Sequence, residues 1–319
     1  AIFVEGGVTL TSSALHDNVF VAGGAIGILG NLNSPKTVEI RNSAIYSNSA
    51  MMAGAVAIGG PSVTRIEQSS IYSNTATIVG GIASGYGGAT IDIVNSTLAG
   101  NSSTYWASAL LVAGGNVLEN NAGFGPDTLT LRNITIAGNE RLAGSPSDNN
   151  FGAFANTDVG GKTATVGITN TIIAGGVNEY SCYMGPLSIS IGSVPAAVSN
   201  LDNDGTCGSN FAQSDTILLG PLGEYGAVFQ SGSIGGVTPI TPTLVAFPLL
   251  PGSAAIDAGA GSLIATPPPQ SDCPFIDQRG VVRPQGSGCD IGAFESQGFT
   301  VANTGGDGQN TPWGSVFAT

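Results

Sequence analysis

Six copies of an eleven-residue phrase, with apolar and polar residues at the same places each time, recur between residues 8 and 176. The copies begin at residues 8, 38, 64, 91, 129 and 166, so the intervals between them are 30, 26, 27, 38 and 37 residues. Repeats of about 20 to 50 residues are typical of stacked supersecondary units. The phrase therefore predicts a solenoid, in which each copy packs against the copies before and after it.

Each repeat predicts three short strands. The first and third residues of the phrase are apolar in nearly every copy, as at Val38 and Ile40, which indicates a strand with one buried face. A later apolar residue, such as Ile45, indicates a second strand. A glycine-rich apolar segment such as 54–58 indicates a third strand that lies close to other backbone. Three parallel strands per repeat predict a right-handed single-stranded β-helix of about seven turns.

The fifth position of the phrase holds a short polar residue in every copy, where the first strand must turn. Asparagine tolerates a left-handed backbone, and stacked amides can bond to one another, so this column predicts a structural ladder at one corner. The column consists of Ser12, Asn42, Gln68, Asn95, Asn133 and Asn170. Two of these residues, Asn95 and Asn133, also begin glycosylation sequons, but a ladder leaves no room for a glycan.

The outward positions of the phrase predict contacts between turns. Glu39 is expected to meet Arg65, Arg65 to meet Asp92, and Arg41 to meet Glu67, so opposite charges alternate. Exposed pairs contribute about 0.2 to 1 kcal/mol each and mainly favour one register. One further outward column holds His16, Tyr46 and Tyr72. We interpret it as an aromatic surface stack and not as the site of a catalytic base.

Composition limits the partners and the compartment. Twenty-one acidic against eight basic residues give a net charge of −13, which argues against nucleic acids and anionic membranes. No apolar run reaches the roughly 18 residues of a membrane-spanning helix. The four cysteines lack the close spacing of zinc ligands, so two disulfides are favoured, Cys182 with Cys207 and Cys273 with Cys289 among three pairings. Disulfides indicate a protein that is secreted or displayed on the cell surface.

The C-terminal part carries a different set of motifs. The sequences LLPGSAAIDAG at 249–259, DQRGVVRP at 277–284 and CDIGAFE at 289–295 resemble those of bacterial surface proteins with a choice-of-anchor Q domain. The repeats are similar to those of chlamydial polymorphic outer-membrane proteins. The resemblance implies a modular bacterial surface protein, without an assigned reaction. Within its motifs, charged residues predict a partly buried polar network that caps the coil: Asp257, Asp277, Arg279, Arg283 and Asp290.

These patterns divide the chain into three predicted segments. Residues 1–176 are predicted to form the repeats, and 177–295 a β-helix extension or cap with two disulfides. Residues 296–319 are expected to be a linker or the first strand of a further module. Because Ala1 falls inside a predicted third strand, the chain is expected to be a fragment of a larger protein.

Several residues are candidates for ligand or metal binding. Tyr105, Trp106 and Phe124 lie in the segment 102–127 between two repeats, where exposed aromatic side chains are expected to bind a sugar or a protein. Asp202 and Asp204 alternate before a glycine, as in a calcium loop. A bidentate glutamate is missing from that sequence, so an Asx turn is the favoured interpretation, and calcium is the one candidate cofactor.

These features predict a non-catalytic structural or adhesive surface module whose partner is a polysaccharide or a cell-surface protein. One alternative is a polysaccharide lyase or glycoside hydrolase, for which Asp92, Glu119 and Asp127 are the candidate carboxylates. The alternating charges and the presence of only two lysines give that activity little support. A second alternative is a subunit of an extracellular filament that associates end to end.

Overall fold

A computed structural model describes residues 1–116, 123–142, 152–159, 161–184, 199–226, 244–261 and 272–297. These residues contain 26 strands and no helix, which confirms the predicted all-β class. The strands form four sheets, and every pair of neighbouring strands within a sheet is parallel. Each sheet takes one strand from each successive repeat, an arrangement compatible with a parallel β-helix.

Two of the sheets contain most of the longer strands. Sheet I consists, in order, of Ile2–Val4, Ile26–Leu29, Val56–Gly59, Ile82–Ser84, Leu110–Ala113, Gly152–Thr157 and Tyr180–Met184. Sheet II consists of Val8–Thr11, Lys36–Arg41, Ser62–Glu67, Ala89–Val94, Thr128–Arg132 and Thr165–Thr169.

The other two sheets are built from shorter strands. Sheet III consists of Ala14–His16, Ala44–Tyr46, Ser70–Tyr72, Thr97–Ala99, Thr135–Ala137, Ile172–Ile173, Leu201–Asp202 and Ala212–Gln213. Sheet IV consists of Val19–Phe20, Ser49–Ala50, Thr75–Ala76, Ser102–Ser103 and Glu140–Arg141. Sheet IV was not predicted, because strands of two residues show no alternation of apolar and polar side chains.

Equivalent residues of successive repeats lie directly beside one another. Ile66 pairs with Ile40 on one side and with Ile93 on the other, and all three side chains are fully buried. The inward residues of sheets I, II and III form one continuous apolar core. Burial of such columns, at about 1.5 to 3 kcal/mol for each large aliphatic side chain, is the main stabilising contribution in this fold.

The described residues 244–261 and 272–297 contact the side of the stack, through repeats that include Gln68, Asn95 and Asn170, whereas the term cap would place them across its end. Strand pairing continues past Gly176 as far as Ala212–Gln213. The later described residues form no strands and only isolated bridges. We call residues 244–261 and 272–297 the clasp. Both predicted disulfides are present, Cys182–Cys207 before the clasp and Cys273–Cys289 within it.

Candidate functional site

The clasp is attached to the stack at the fifth position of the phrase. All six residues of that column have positive φ values, between 46° at Asn95 and 54° at Asn133. The side-chain amide of Asn95 donates to the Ile276 carbonyl at 2.7 Å. Gln68 donates to the Asp277 carbonyl at 3.1 Å in the same way. In the described residues these amides bind the clasp, so the predicted ladder of stacked side chains does not form at this column.

Asn133 and Asn170 continue the same attachment in the next two repeats. Asn133 donates to the Asp290 carbonyl at 3.5 Å. Asn170 donates to the carbonyls of Ala260 and Asp272, and its Oδ1 accepts the Ala260 N–H at 2.7 Å. Four successive repeats thus hold the clasp through side-chain amides. At each of these corners the residue has a left-handed backbone conformation, and its amide is directed outward.

The seventh position of the phrase provides a second attachment in three of the four repeats that hold the clasp. In the fourth, Ile172 at this position lies in a buried apolar cluster with Leu249 and Ile291. Ser70 donates its hydroxyl to the Val245 carbonyl at 2.8 Å, and Thr97 donates to the Gln278 side chain at 2.5 Å. Thr135 accepts the Ala293 N–H at 3.0 Å. The first two repeats have alanine at this position, Ala14 and Ala44. This change from alanine to a hydroxyl residue is a sequence signal that the prediction missed.

The ladder of stacked amides forms at the eleventh position instead. Asn48 donates its amide to Oδ1 of Asn74 at 2.9 Å, and Asn74 donates to Oδ1 of Asn101 at 3.0 Å. Asn18 and Asn139 extend the column in the two directions. Each of the accepting oxygens also receives a backbone N–H from the preceding repeat. The ladder therefore satisfies buried polar groups at the corner between sheets III and IV.

The clasp contains a fully buried ion pair. Arg283 Nη1 lies 2.9 Å from Glu295 Oε2, and both side chains have 0% exposure. Arg283 also donates to the carbonyls of Asp290 and Gly292 at 2.9 and 2.7 Å. Glu295 accepts the N–H groups of Gln285 and Asp290. The prediction included Arg283 but not Glu295, which closes the network.

A second ion pair lies beside the first. Asp277 Oδ2 is 2.6 Å from Arg279 Nη2, and the guanidinium of Arg279 stacks on the ring of Phe294 at 3.4 Å. Arg279 also donates to the Glu295 carbonyl. The two pairs join segments of the clasp to one another, so the charged motifs in this part of the chain fix its internal structure.

Asp290 and Asp257 complete the network. The Asp290 carboxylate accepts the N–H groups of Asp257 and Ser296. Burial nevertheless raises the pKa of Asp290 to about 6. Asp257 accepts the Gly288 N–H at 2.9 Å.

The predicted aromatic site is divided between two corners. The sheet I strand Leu110–Ala113 interrupts the segment 102–127 and separates Tyr105 and Trp106 from Phe124. Phe124 packs beside Gly60 and Gly88, where sheet I leads into sheet II. The structure does not bring the three side chains together, because the loop assigned to them contains a full strand.

Tyr105 and Trp106 belong to an exposed apolar edge where sheet IV leads into sheet I. Tyr105 donates its backbone N–H to Thr77 and Trp106 donates to Ile78, and Ile78 donates in turn to Met51. Large apolar side chains on this edge are exposed: Val21 by 63%, Met51 by 51% and Tyr105 by 41%. Half-buried residues support them from behind, namely Ala22, Met52, Ile78 and Trp106. We call these seven residues the apolar edge.

Asp202 and Asp204 have hydrogen-bonding partners within the protein. Asp202 is buried and accepts the Cys207 N–H at 2.9 Å. Burial, together with the charge of Asp204, raises its pKa. Asp204 accepts hydrogen bonds from Thr206 and Ser181, which lower its pKa even though burial opposes the shift. These contacts are those of an Asx turn, the favoured interpretation of this sequence. The described residues contain no group of three or more metal-binding side chains.

The carboxylates of the enzyme hypothesis have separate partners. Asp92 accepts two hydrogen bonds from Arg132, at 3.0 and 3.1 Å, on the outer face of sheet II. Asp127 is buried and bonds to Ser84 and to the Ala89 N–H. Glu119, the third candidate, lies outside the described residues.

The outward charge columns form a chain of ion pairs on sheet II. Arg41 pairs with Glu67 at 3.5 Å and Arg65 with Asp92 at 3.8 Å, as predicted. Glu39 lies 3.5 Å from Arg41 of its own strand and is not found paired with Arg65. Arg65 pairs instead with Glu67 of its own strand at 3.4 Å and with Asp92 of the next repeat.

The predicted aromatic stack is confirmed. The rings of His16 and Tyr46 are 4.8 Å apart and those of Tyr46 and Tyr72 are 4.9 Å apart, each pair within 10° of parallel. Burial, with smaller contributions from Tyr46 and Glu224, raises the pKa of Tyr72 to about 12. The Tyr72 hydroxyl therefore stays protonated at neutral pH.

Glu179 was missed by the sequence analysis. Its carboxylate accepts the Ser108 hydroxyl at 2.8 Å. Burial raises the pKa of Glu179 to about 7, although this hydrogen bond and Arg141 oppose the shift. Glu179 follows the last phrase without any motif of its own, so no sequence signal identified it.

No family model, curated protein or solved structure matches this chain. The described part of the chain has no helix long and apolar enough to cross a membrane.

Proposed function

We propose that this chain is a structural and adhesive module of a bacterial surface protein, built as a right-handed parallel β-helix of about seven turns. The apolar edge is the observation that carries the adhesive role. Exposed side chains of Val21, Met51 and Tyr105, from the first, second and fourth repeats, lie along the same edge of the stack. Exposed apolar residues on a soluble protein are more often scattered.

The clasp supports the structural part of the proposal. Its two buried ion pairs and its disulfide make it rigid, and four repeats hold it through side-chain amides. The two disulfides favour a location outside the reducing cytoplasm, which agrees with a secreted or surface-displayed protein. A stack held in this way is suited to presenting the apolar edge to a partner.

Adhesion can be measured with beads coated with the full chain. We expect saturable retention of the beads on a panel of immobilised polysaccharides and extracellular proteins. Met51→Asp is expected to reduce retention, because a charge on the apolar edge must be desolvated on binding. Leu32→Asp is the matched control, since Leu32 is 72% exposed and lies in a turn outside the edge.

Two results would overturn the proposal. One is equal retention of the two variants and the unmodified chain. The other is catalytic turnover, seen as new reducing ends or unsaturated products from a polysaccharide, that is lost in Asp127→Asn or Glu179→Gln. The second result would establish the polysaccharide-processing alternative.

A further inference from the structure

We infer that the apolar edge binds an uncharged polysaccharide whose chain runs along the stack, across the strands. This inference names the ligand class of the adhesive site and therefore rests on the proposed function. It depends on three properties of the edge: the absence of charge, the spread of its side chains along the stack, and the hydroxyl groups beside it.

The edge is uncharged in a strongly acidic protein. Residues 19–23, 49–53, 75–79 and 102–107 form the first four sheet IV strands and the connections that follow them. None of these residues is Asp, Glu, Lys, Arg or His, although the chain has a net charge of −13. The net charge repels an acidic polysaccharide, and the edge offers no carboxylate to a basic ligand. An uncharged ligand is the one that this surface complements.

The exposed side chains are spread along the stack, with Tyr105 one position beyond the column that holds Val21 and Met51. Val21 and Met51 belong to neighbouring repeats, and Tyr105 lies two repeats beyond Met51. Neighbouring strands in a sheet are about 4.8 Å apart, so Met51 and Tyr105 are separated by roughly 10 Å along the stack. A linear polymer can contact all three positions at once, whereas a compact small molecule cannot.

Hydroxyl groups accompany these side chains along the stack. Ser49 and Thr75 occupy equivalent positions in neighbouring sheet IV strands, and both are exposed. Thr77 is exposed between Met51 and Tyr105. Sugar rings present apolar C–H faces together with hydroxyl groups, and aromatic side chains and hydroxyls are suited to contact both. A protein partner would more often insert aromatic anchors into pockets within a charged rim, whereas residues 19–23, 49–53, 75–79 and 102–107 carry no charged side chain.

Affinity electrophoresis of the full chain tests the ligand class. Native gels would contain hydroxyethyl cellulose, galactomannan or mixed-linkage β-glucan, with polygalacturonate as the acidic comparison. We expect at least one neutral polymer to retard the chain, with an affinity that changes little between about 0.05 and 0.5 M NaCl. The double variant Met51→Ser, Tyr105→Ser is expected to bind about tenfold more weakly. Leu32→Ser is expected to bind as the unmodified chain does, and melting curves check that all variants fold.

Two outcomes would overturn the inference. One is the absence of retardation in every neutral gel. The other is equal retardation of the double variant and the unmodified chain. If neutral gels fail to retard the chain while Met51→Asp still lowers bead retention, the ligand class is wrong and the adhesive role stands. If bead retention is also unchanged in Met51→Asp, the adhesive role itself is overturned.

Discussion

The side-chain amide of Asn74 donates to Oδ1 of Asn101 at 3.0 Å, and the same oxygen accepts the backbone N–H of Asn74 at 3.1 Å. The Asn74 amide also donates to the Ile45 carbonyl of the preceding repeat at 2.9 Å. A single asparagine therefore links three repeats. Because both asparagines are fully buried, each of these hydrogen bonds replaces water that cannot reach the corner.

Replacing Asn74 with alanine is expected to lower the free energy of unfolding by about 2 to 4 kcal/mol. The substitution leaves the Asn48 N–H and the Ile45 carbonyl buried without these partners, and each unsatisfied group costs about 1 to 3 kcal/mol. Asn18→Ala is the matched control, because Asn18 has the same phrase position but is partly exposed. Urea titration would measure the free energy of unfolding of both variants. If the two variants lost equal stability, burial of Asn74 would not be the cause of its effect.

Breaking the buried ion pair of the clasp is expected to lower the free energy of unfolding, measured by urea titration, by more than breaking an exposed ion pair does. Arg283→Met leaves the Glu295 carboxylate buried without its cation and is expected to cost about 3 to 5 kcal/mol. Arg65→Met, on the outer face of sheet II, is expected to cost less than about 1 kcal/mol. The double variant Arg283→Met, Glu295→Gln is expected to recover part of the loss. A double variant no more stable than Arg283→Met would show that the paired charge is not the cause.

Removing the disulfide of the clasp is expected to loosen the clasp before the stack. Cys273 and Cys289 are 16 residues apart, and such a bond contributes about 3 kcal/mol. Their neighbours Asp272 and Asp290 supply the carbonyls that Asn170 and Asn133 bind. In the variant with serine at both cysteines, amide hydrogen exchange should accelerate at 272–297 while the strands of sheet II stay protected. If the amides of residues 272–297 and of the sheet II strands lost their protection from exchange together, the clasp would not open separately from the stack.

The stacking of the repeats could be predicted from sequence because it depends on local patterns. Alternation of apolar residues defines the strands of sheet II, and a constant phrase length sets the register that pairs Ile40 with Ile66. The disulfide pairing that was favoured among three possible ones is confirmed, and it joins cysteines 25 and 16 residues apart. The two-residue strands of sheet IV carry no such pattern, so the fourth sheet could be seen only once the backbone was placed.

The roles of the two asparagine columns could not be separated from sequence. Both Asn95 and Asn101 stand at corners, and either amide is able to bond along the stack. Asn95 has a left-handed backbone and donates to the clasp, whereas Asn101 is inside the ladder. That difference depends on how the clasp packs against the stack. Ile276, which accepts the Asn95 hydrogen bond, is 181 residues later in the sequence, so no local pattern could reveal the contact.

The candidate contact site was predicted in part. Tyr105 and Trp106 do lie on an exposed edge, but Phe124 lies at another corner, because a strand within the same loop was overlooked. Val21 and Met51, the other exposed members, come from repeats that are 84 and 54 residues before Tyr105 in the sequence. Only the vertical register of the sheets brings them onto one edge.

Stability is expected to fall as the pH rises from about 4 to about 7, because of buried carboxyl groups. Burial raises the pKa of Asp127 from its ordinary value of 3.8 to about 6. Between these values the folded state keeps the proton that the unfolded state has released, so the folded state binds more protons. Raising the pH through this interval therefore favours unfolding, by about 2 to 3 kcal/mol for this one group.

Asp127→Asn removes the titrating group and keeps an oxygen for the Ala89 N–H, which Asp127 Oδ1 now accepts at 2.8 Å. Glu179 and Asp290 still titrate in this variant, so we expect it to lose about 2 to 3 kcal/mol less stability between pH 4 and 7 than the unmodified chain does. It is expected to be the more stable of the two at pH 7. Asp92→Asn is the control, because Asp92 is paired with Arg132 on the outside of sheet II. Urea titrations of the three proteins across this range give the comparison. An unchanged pH profile in Asp127→Asn would show that this carboxyl group is already ionised in the folded protein at acidic pH.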